Sequence, residues 1–78
     1  MNIIEAVKEA MEGKKIRRKE WFFISEDDCV YVAGVLNLNG EISHLYKFGI
    51  GREHVYKEIA TFLDIDVLAD DWEVVKWT

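Results

Sequence analysis

The residues able to do chemistry are concentrated in one short run. Lys14-Lys15-Ile16-Arg17-Arg18-Lys19-Glu20-Trp21 places five cations and an indole within eight positions. Guanidinium forks pair with phosphate oxygens, and a Trp face accepts a stacked purine. A charged guard on a solvated strand edge accounts for the same run, and Trp21 would serve equally as core. Outside this run the reactive groups are His44, His54, Cys29 and scattered carboxylates. An enzyme needs a positioned acid, base, nucleophile or metal, and no such set converges in the sequence. Cys29 follows Glu26-Asp27-Asp28, whose charge disfavours a thiolate, and His54 reads as a surface residue. No catalytic residue is assigned, and the chain is expected not to be an enzyme. Asp64, Asp66, Asp70 and Asp71 lack the ligand spacing of a calcium loop, so no metal and no cofactor is expected. Gly49-x-Gly51, followed by Arg52, would offer free N–H groups to a phosphate at a helix start. The third glycine of a dinucleotide fingerprint is missing, and a glycine-permitted turn explains the pair.

These side chains must be carried by a small number of elements. Asn2 followed by Glu5 has the spacing of a capping box, and Ile3, Ile4, Val7, Ala10 and Met11 recur at helical intervals before Gly13. The spacing predicts a helix over 2–12. A short strand is expected over 14–18, with Trp21-Phe22-Phe23-Ile24 continuing it. Asn39-Gly40 between β-prone runs predicts a two-residue hairpin turn in which Leu38 pairs Glu41. One face of that hairpin then carries Val35/His44, Ala33/Tyr46 and Tyr31/Phe48, and is expected to be the better core face, with His44 a satisfied sheet histidine. The other carries Leu36/Ser43, Gly34/Leu45 and Val32/Lys47, with more apolar surface than a solvated face usually displays. Val55, Tyr56, Ile59, Ala60, Phe62 and Leu63 step by threes and fours and predict a second helix over 52–63, closed by Asp64. Asp66 would cap a further turn through Val67, Leu68 and Ala69. Trp72 to Trp77 alternates as a final strand with its two tryptophans on opposite faces, so at least one is expected to be buried. The expected fold class is α+β: N-terminal helix, antiparallel sheet with a central hairpin at Asn39-Gly40, second helix and C-terminal strand.

Size bounds the rest. Seventy-eight residues hold one domain, 1–78, and a chain this short buries only ~60% of its unfolded surface. Half the residues are apolar, which is globular composition. A single cysteine provides neither disulfide nor zinc site, so self-association is the remaining common source of stability. No apolar run approaches a membrane span and the start is unlike a signal peptide, so a cytoplasmic protein with no membrane partner is expected. The net charge of −5 opposes long nucleic acid, whereas the local cation run still suits a small anion.

Two segments resemble a known family. Gly13-Lys14-Lys15-Ile16-Arg17-Arg18-Lys19-Glu20-Trp21, after its helix, and Asp66-Val67-Leu68-Ala69-Asp70-Asp71-Trp72, before a strand, resemble the two signature ends of the phage-borne Thoeris anti-defence proteins of the second type. The resemblance implies a protein of the infected host's cytoplasm that binds a cyclic ADP-ribose-type or related cyclic nucleotide immune signal and sequesters it without degrading it. It also implies a homotetramer or homodimer with pockets between protomers. Carried onto this chain, the implied ligand-binding residues are Arg18, Lys19 and Trp21 from the first motif and Asp71 and Trp72 from the second, with Trp21 as the base-stacking surface. A protein-binding inhibitor of a bacterial defence effector, resembling an anti-CRISPR protein, is the alternative.

Overall fold

The computed structural model describes residues 1–25, 27–51 and 53–75. Its first element, α1 (Ile3–Met11), begins where Asn2 accepts from the Glu5 N–H at 2.9 Å while Asn2 N–H donates to the Glu5 carboxylate at 3.1 Å. It ends at Gly13, whose φ of 97° is left-handed and suits glycine. Ala6 and Ala10, four apart, are fully buried, and their small side chains let the helix lie close to the sheet. Six antiparallel strands follow or flank it: β1 (Ile16–Arg18), β2 (Phe23–Ser25), β3 (Asp28–Leu36), β4 (Ile42–Ile50), β5 (Val55–Ile59) and, after the short α2 (Asp64–Leu68), β6 (Trp72–Val74). The sheet order is β5-β4-β3-β1-β6, with β2 also pairing β3. The fold is therefore α+β, with a helix preceding the C-terminal strand. No helix among the described residues is long and apolar enough to cross a membrane.

Several expectations are corrected. The helix expected over 52–63 is not formed at 53–63, because Val55–Ile59 pairs with β4 from Ile50↔Val55 to Tyr46↔Ile59. Val55, Tyr56 and Ile59 fit either period over five residues, and the unsatisfied edge of β4 decides in favour of strand. The helix lies later, at Asp64–Leu68, where Leu63 N–H donates to the Asp66 carboxylate at 3.2 Å. Phe23–Ser25 is a strand of its own, because the chain turns at Arg18–Trp21. The hairpin register holds from Cys29↔Ile50 to Gly34↔Leu45, then shifts so that Leu36 meets Ile42. Gly40 N–H bonds Asn37 C=O and Asn37 N–H bonds Glu41 C=O, with positive φ at Gly40 alone. The loop is therefore three residues, Leu38-Asn39-Gly40, since a two-residue type I′ turn needs positive φ at Asn39 as well.

The layer order also reverses the expected face. The main core is Ala6, Ala10, Ile16, Val32 and Trp72, with Leu45, Phe62 and Trp21 packed around it, so α1 covers the Val32/Leu45 face. Burying Ile16 and Val32 contributes about 1.5–3 kcal/mol each. The surplus apolar surface of that face is thus met by the chain's own helix and gives no separate reason for subunit contact at Val32 and Leu45; Leu36 and Leu38 stay exposed. The opposite face holds a second cluster of Cys29, Tyr31, Ala33 and Val75, with Phe23, Phe48 and Ile50 against it. His44 is exposed near the hairpin tip, its Nδ1 3.0 Å from Ser43 Oγ, and is not a core histidine. Trp72 is the buried tryptophan, while Trp77 lies outside the described residues, as do Arg52 and Glu26.

Candidate functional site

β1 alternates Ile16, Arg17, Arg18, which sends Arg18 to the helix-covered side and Arg17 to the other. Pairing of β1 with β6 sets Arg18 opposite Trp72 and Arg17 opposite Glu73. Residues from both ends of the sequence therefore meet at one place. Arg18 is only 8% exposed. Its Nε donates to Asp71 Oδ1 at 2.9 Å and its Nη2 to Asp71 Oδ2 at 3.3 Å, a two-pronged pair. Its Nη1 donates to Asp66 Oδ1 at 2.9 Å and lies 2.7 Å from Glu20 Oε1. The Asp71 and Asp66 hydrogen bonds hold the guanidinium above its ordinary range, and the Arg18 hydrogen bonds hold the Asp71 carboxyl below the usual carboxylate range.

The indoles form the adjoining half. Trp72 is buried, and its Nε1 donates to Asp66 C=O at 2.9 Å. Trp21 meets it edge-on with centroids 5.2 Å apart, and Phe62 does the same at 5.7 Å. Trp21 is half-buried, pinned by its N–H to Arg18 C=O at 3.0 Å and by Arg17 Nη1 to its own C=O at 3.1 Å. The Lys47 ammonium sits 4.7 Å from the Trp21 ring centroid. Lys19 is exposed, with its N–H bonded to Asp71 C=O at 3.2 Å.

All five residues expected at a site, Arg18, Lys19, Trp21, Asp71 and Trp72, thus belong to one cluster. They do not play equivalent parts. Arg18, Asp71 and Trp72 face one another and fasten β1 to β6 and α2. Lys19 and Trp21 reach the surface, where Lys47 joins them. An incoming phosphate would compete with three carboxylates for Arg18, whereas at Lys47 it would meet a cation beside an indole. Two participants were not singled out for these parts. Asp66 is not the N-cap expected for a turn through Val67, Leu68 and Ala69: it lies inside α2, three residues after Leu63, with Oδ2 accepting from Leu63 N–H and Oδ1 from Arg18. Lys47 carries no local signal, since only the β3–β4 register brings it to Trp21.

On the far side of the sheet, Arg17 is held by Glu73 at 2.6 Å and lies 4.8 Å from the Phe23 ring centroid. Met1, Glu9, Lys14, Arg17, Phe23 and Glu73 border an open groove of about 720 Å³ along β6. Lys14 within it is paired to Glu9, which holds the ammonium above its ordinary range. Among the described residues no group of three or more His, Cys, Asp or Glu is placed to hold a metal ion. No family model, no curated protein and no solved structure matches this chain.

Proposed function

We propose that this protein is a phage counter-defence protein of the host cytoplasm. It binds a cyclic ADP-ribose-type or related cyclic nucleotide signal and holds it without turnover, as a self-associated dimer or tetramer. The observation that carries this reading is the Trp21 surface: an indole ring beside the Lys47 ammonium, built where the two motif segments join, with the exposed Lys19 two residues away in the chain. A purine stacks on such a ring, and the flanking ammonium group neutralises a phosphate. The buried Arg18 positions this surface rather than serving as the phosphate anchor. Calorimetry against cyclic ADP-ribose isomers and cyclic dinucleotides tests the reading. Trp21→Ala should weaken binding roughly 5- to 150-fold, which is ~1–3 kcal/mol. Lys47→Ala should weaken it less, with a loss that shrinks as salt rises. The ligand should be recovered chemically intact after denaturation. Absence of heat with every nucleotide at low salt sinks the reading.

A specific observation favours the second reading, a protein-binding inhibitor of a defence effector. Leu36 and Leu38 stand exposed together at the hairpin tip of an acidic molecule, a protrusion that suits a protein partner. In that case Leu38→Asp would abolish effector binding and Trp21→Ala would leave it unchanged.

A further inference from the structure

β5 ends the sheet, and its phase on β4 fixes which of its backbone groups face outward. Gly51 N–H bonds His54 C=O and Ala60 N–H bonds Leu45 C=O, both at 3.0 Å. Positions 54, 56, 58 and 60 therefore exchange bonds with β4, and Val55, Lys57 and Ile59 turn their N–H and C=O groups away from it. Apart from the exposed Glu58, the side chains do not guard this edge. Val55, Tyr56 and Ile59 are 66%, 46% and 62% exposed, and the Lys57 ammonium lies 5.1 Å from the Tyr46 ring centroid, over its own sheet. The opposite edge is closed at Trp72, where Met1 N donates to Trp72 C=O at 2.9 Å and Trp72 N–H donates to Met1 C=O at 3.1 Å.

We propose that the β5 edge pairs antiparallel with β5 of a second copy, centred on Tyr56, joining two six-stranded sheets into one. The proposal rests on the self-association in the reading above and on none of its ligand chemistry. Only odd positions can meet odd positions across the new junction, because only they face outward, which leaves three central registers. Centring on Lys57 sets Lys57 against Lys57 of the second copy, and centring on Glu58 sets Glu58 against its own copy; like charges directly opposite are destabilising. Centring on Tyr56 brings two uncharged side chains to the two-fold axis, each ring lying back across Gly49 of its own β4. It also puts Glu58 opposite His54 of the second copy and Val55 opposite Lys57 of the second copy, so no like charges meet. Opposite residues share a face, so both α1 helices lie on one side of the joined sheet.

The register is read by variants that each add one cysteine at positions 55 to 59, under mild oxidation, with the unaltered chain and its buried Cys29 as the control. Tyr56→Cys should form a disulfide-linked dimer at least tenfold faster than Lys57→Cys or Glu58→Cys, since only the central residue meets itself. Fastest linkage at 57 or 58, or none above the control, overturns the proposal. Lys57→Pro supplies a second readout, because it removes an N–H that points away from β4. It should halve the solution mass by light scattering while the circular dichroism spectrum is retained. A folded variant of unchanged mass overturns the edge pairing but leaves self-association standing, whereas a monomeric parent chain overturns both.

Discussion

Arg18 is held by three carboxylates at once. Its guanidinium answers Asp71, Asp66 and Glu20, drawn from two strand ends and one helix. Breaking a buried, multiply bonded pair strands the remaining charges, so Arg18→Ala should unfold at a clearly lower temperature. Arg18→Lys should recover only part of the loss, because an ammonium cannot reproduce the two-pronged Asp71 contact. The sign of the pH dependence follows from Asp71. Its carboxyl titrates below the usual range in the folded chain, so its contribution is complete above ~4 and fades as pH falls through the depressed value. Urea midpoints taken from pH 7 down to pH 3 should drop more steeply for the parent chain than for Asp71→Asn; parallel curves would show that the pair adds nothing. The sequence displayed this cation and these acids without their pairing, because the partners stand 48 and 53 residues away. Proximity of that kind is set by strand order, which single-chain periodicity does not encode.

Among the elements, α1 was legible in full, because its start and stop are local: Asn2, Glu5 and Gly13 act on their immediate neighbours. Asn2→Ala should cost ~1 kcal/mol in a urea titration. The Leu38–Gly40 turn was legible in place but not in type, since one extra loop residue and one bulge shift the pairing twice and leave the long register of β3 on β4 intact. β5 was not legible, because its spacing satisfied two periods and the choice fell to a neighbouring edge. Gly49 records that choice. A Cβ there would come within 1.8 Å of the Tyr56 ring, which lies across the glycine. Gly49→Ala should therefore destabilise by about 1–3 kcal/mol, and adding Tyr56→Ala should relieve much of that penalty. Additive losses in the double variant would show that β5 does not lie where Tyr56 covers Gly49.

For the whole molecule, the core is thin and the surface is apolar in separate regions. Leu36 and Leu38 stand out at the hairpin tip, Ile65 and Leu68 on α2, and Val55 and Ile59 along β5. A chain of 9.1 kDa that leaves so much apolar area outside is expected to associate. Light scattering at micromolar concentration should give a dimer or tetramer mass. A monodisperse species of 9.1 kDa would remove every model in which protomers share a pocket.

The meeting of Arg18 with Asp66 and Asp71 has a consequence for how the chain is made. Residues 1–19 contain six Lys and Arg against three Glu, and Asp66 and Asp71 are added 48 and 53 residues after Arg18. At ~5–20 residues per second, translation leaves the cationic segment without those partners for roughly 2–10 s. The chain as a whole has a net charge of −5, whereas residues 1–19 alone have the opposite sign. Glu20, Glu26, Asp27 and Asp28 reverse the sign early, bringing residues 1–28 to a net −1, but the pairing of Arg18 with Asp66 and Asp71 still waits for the segment that leads into β6.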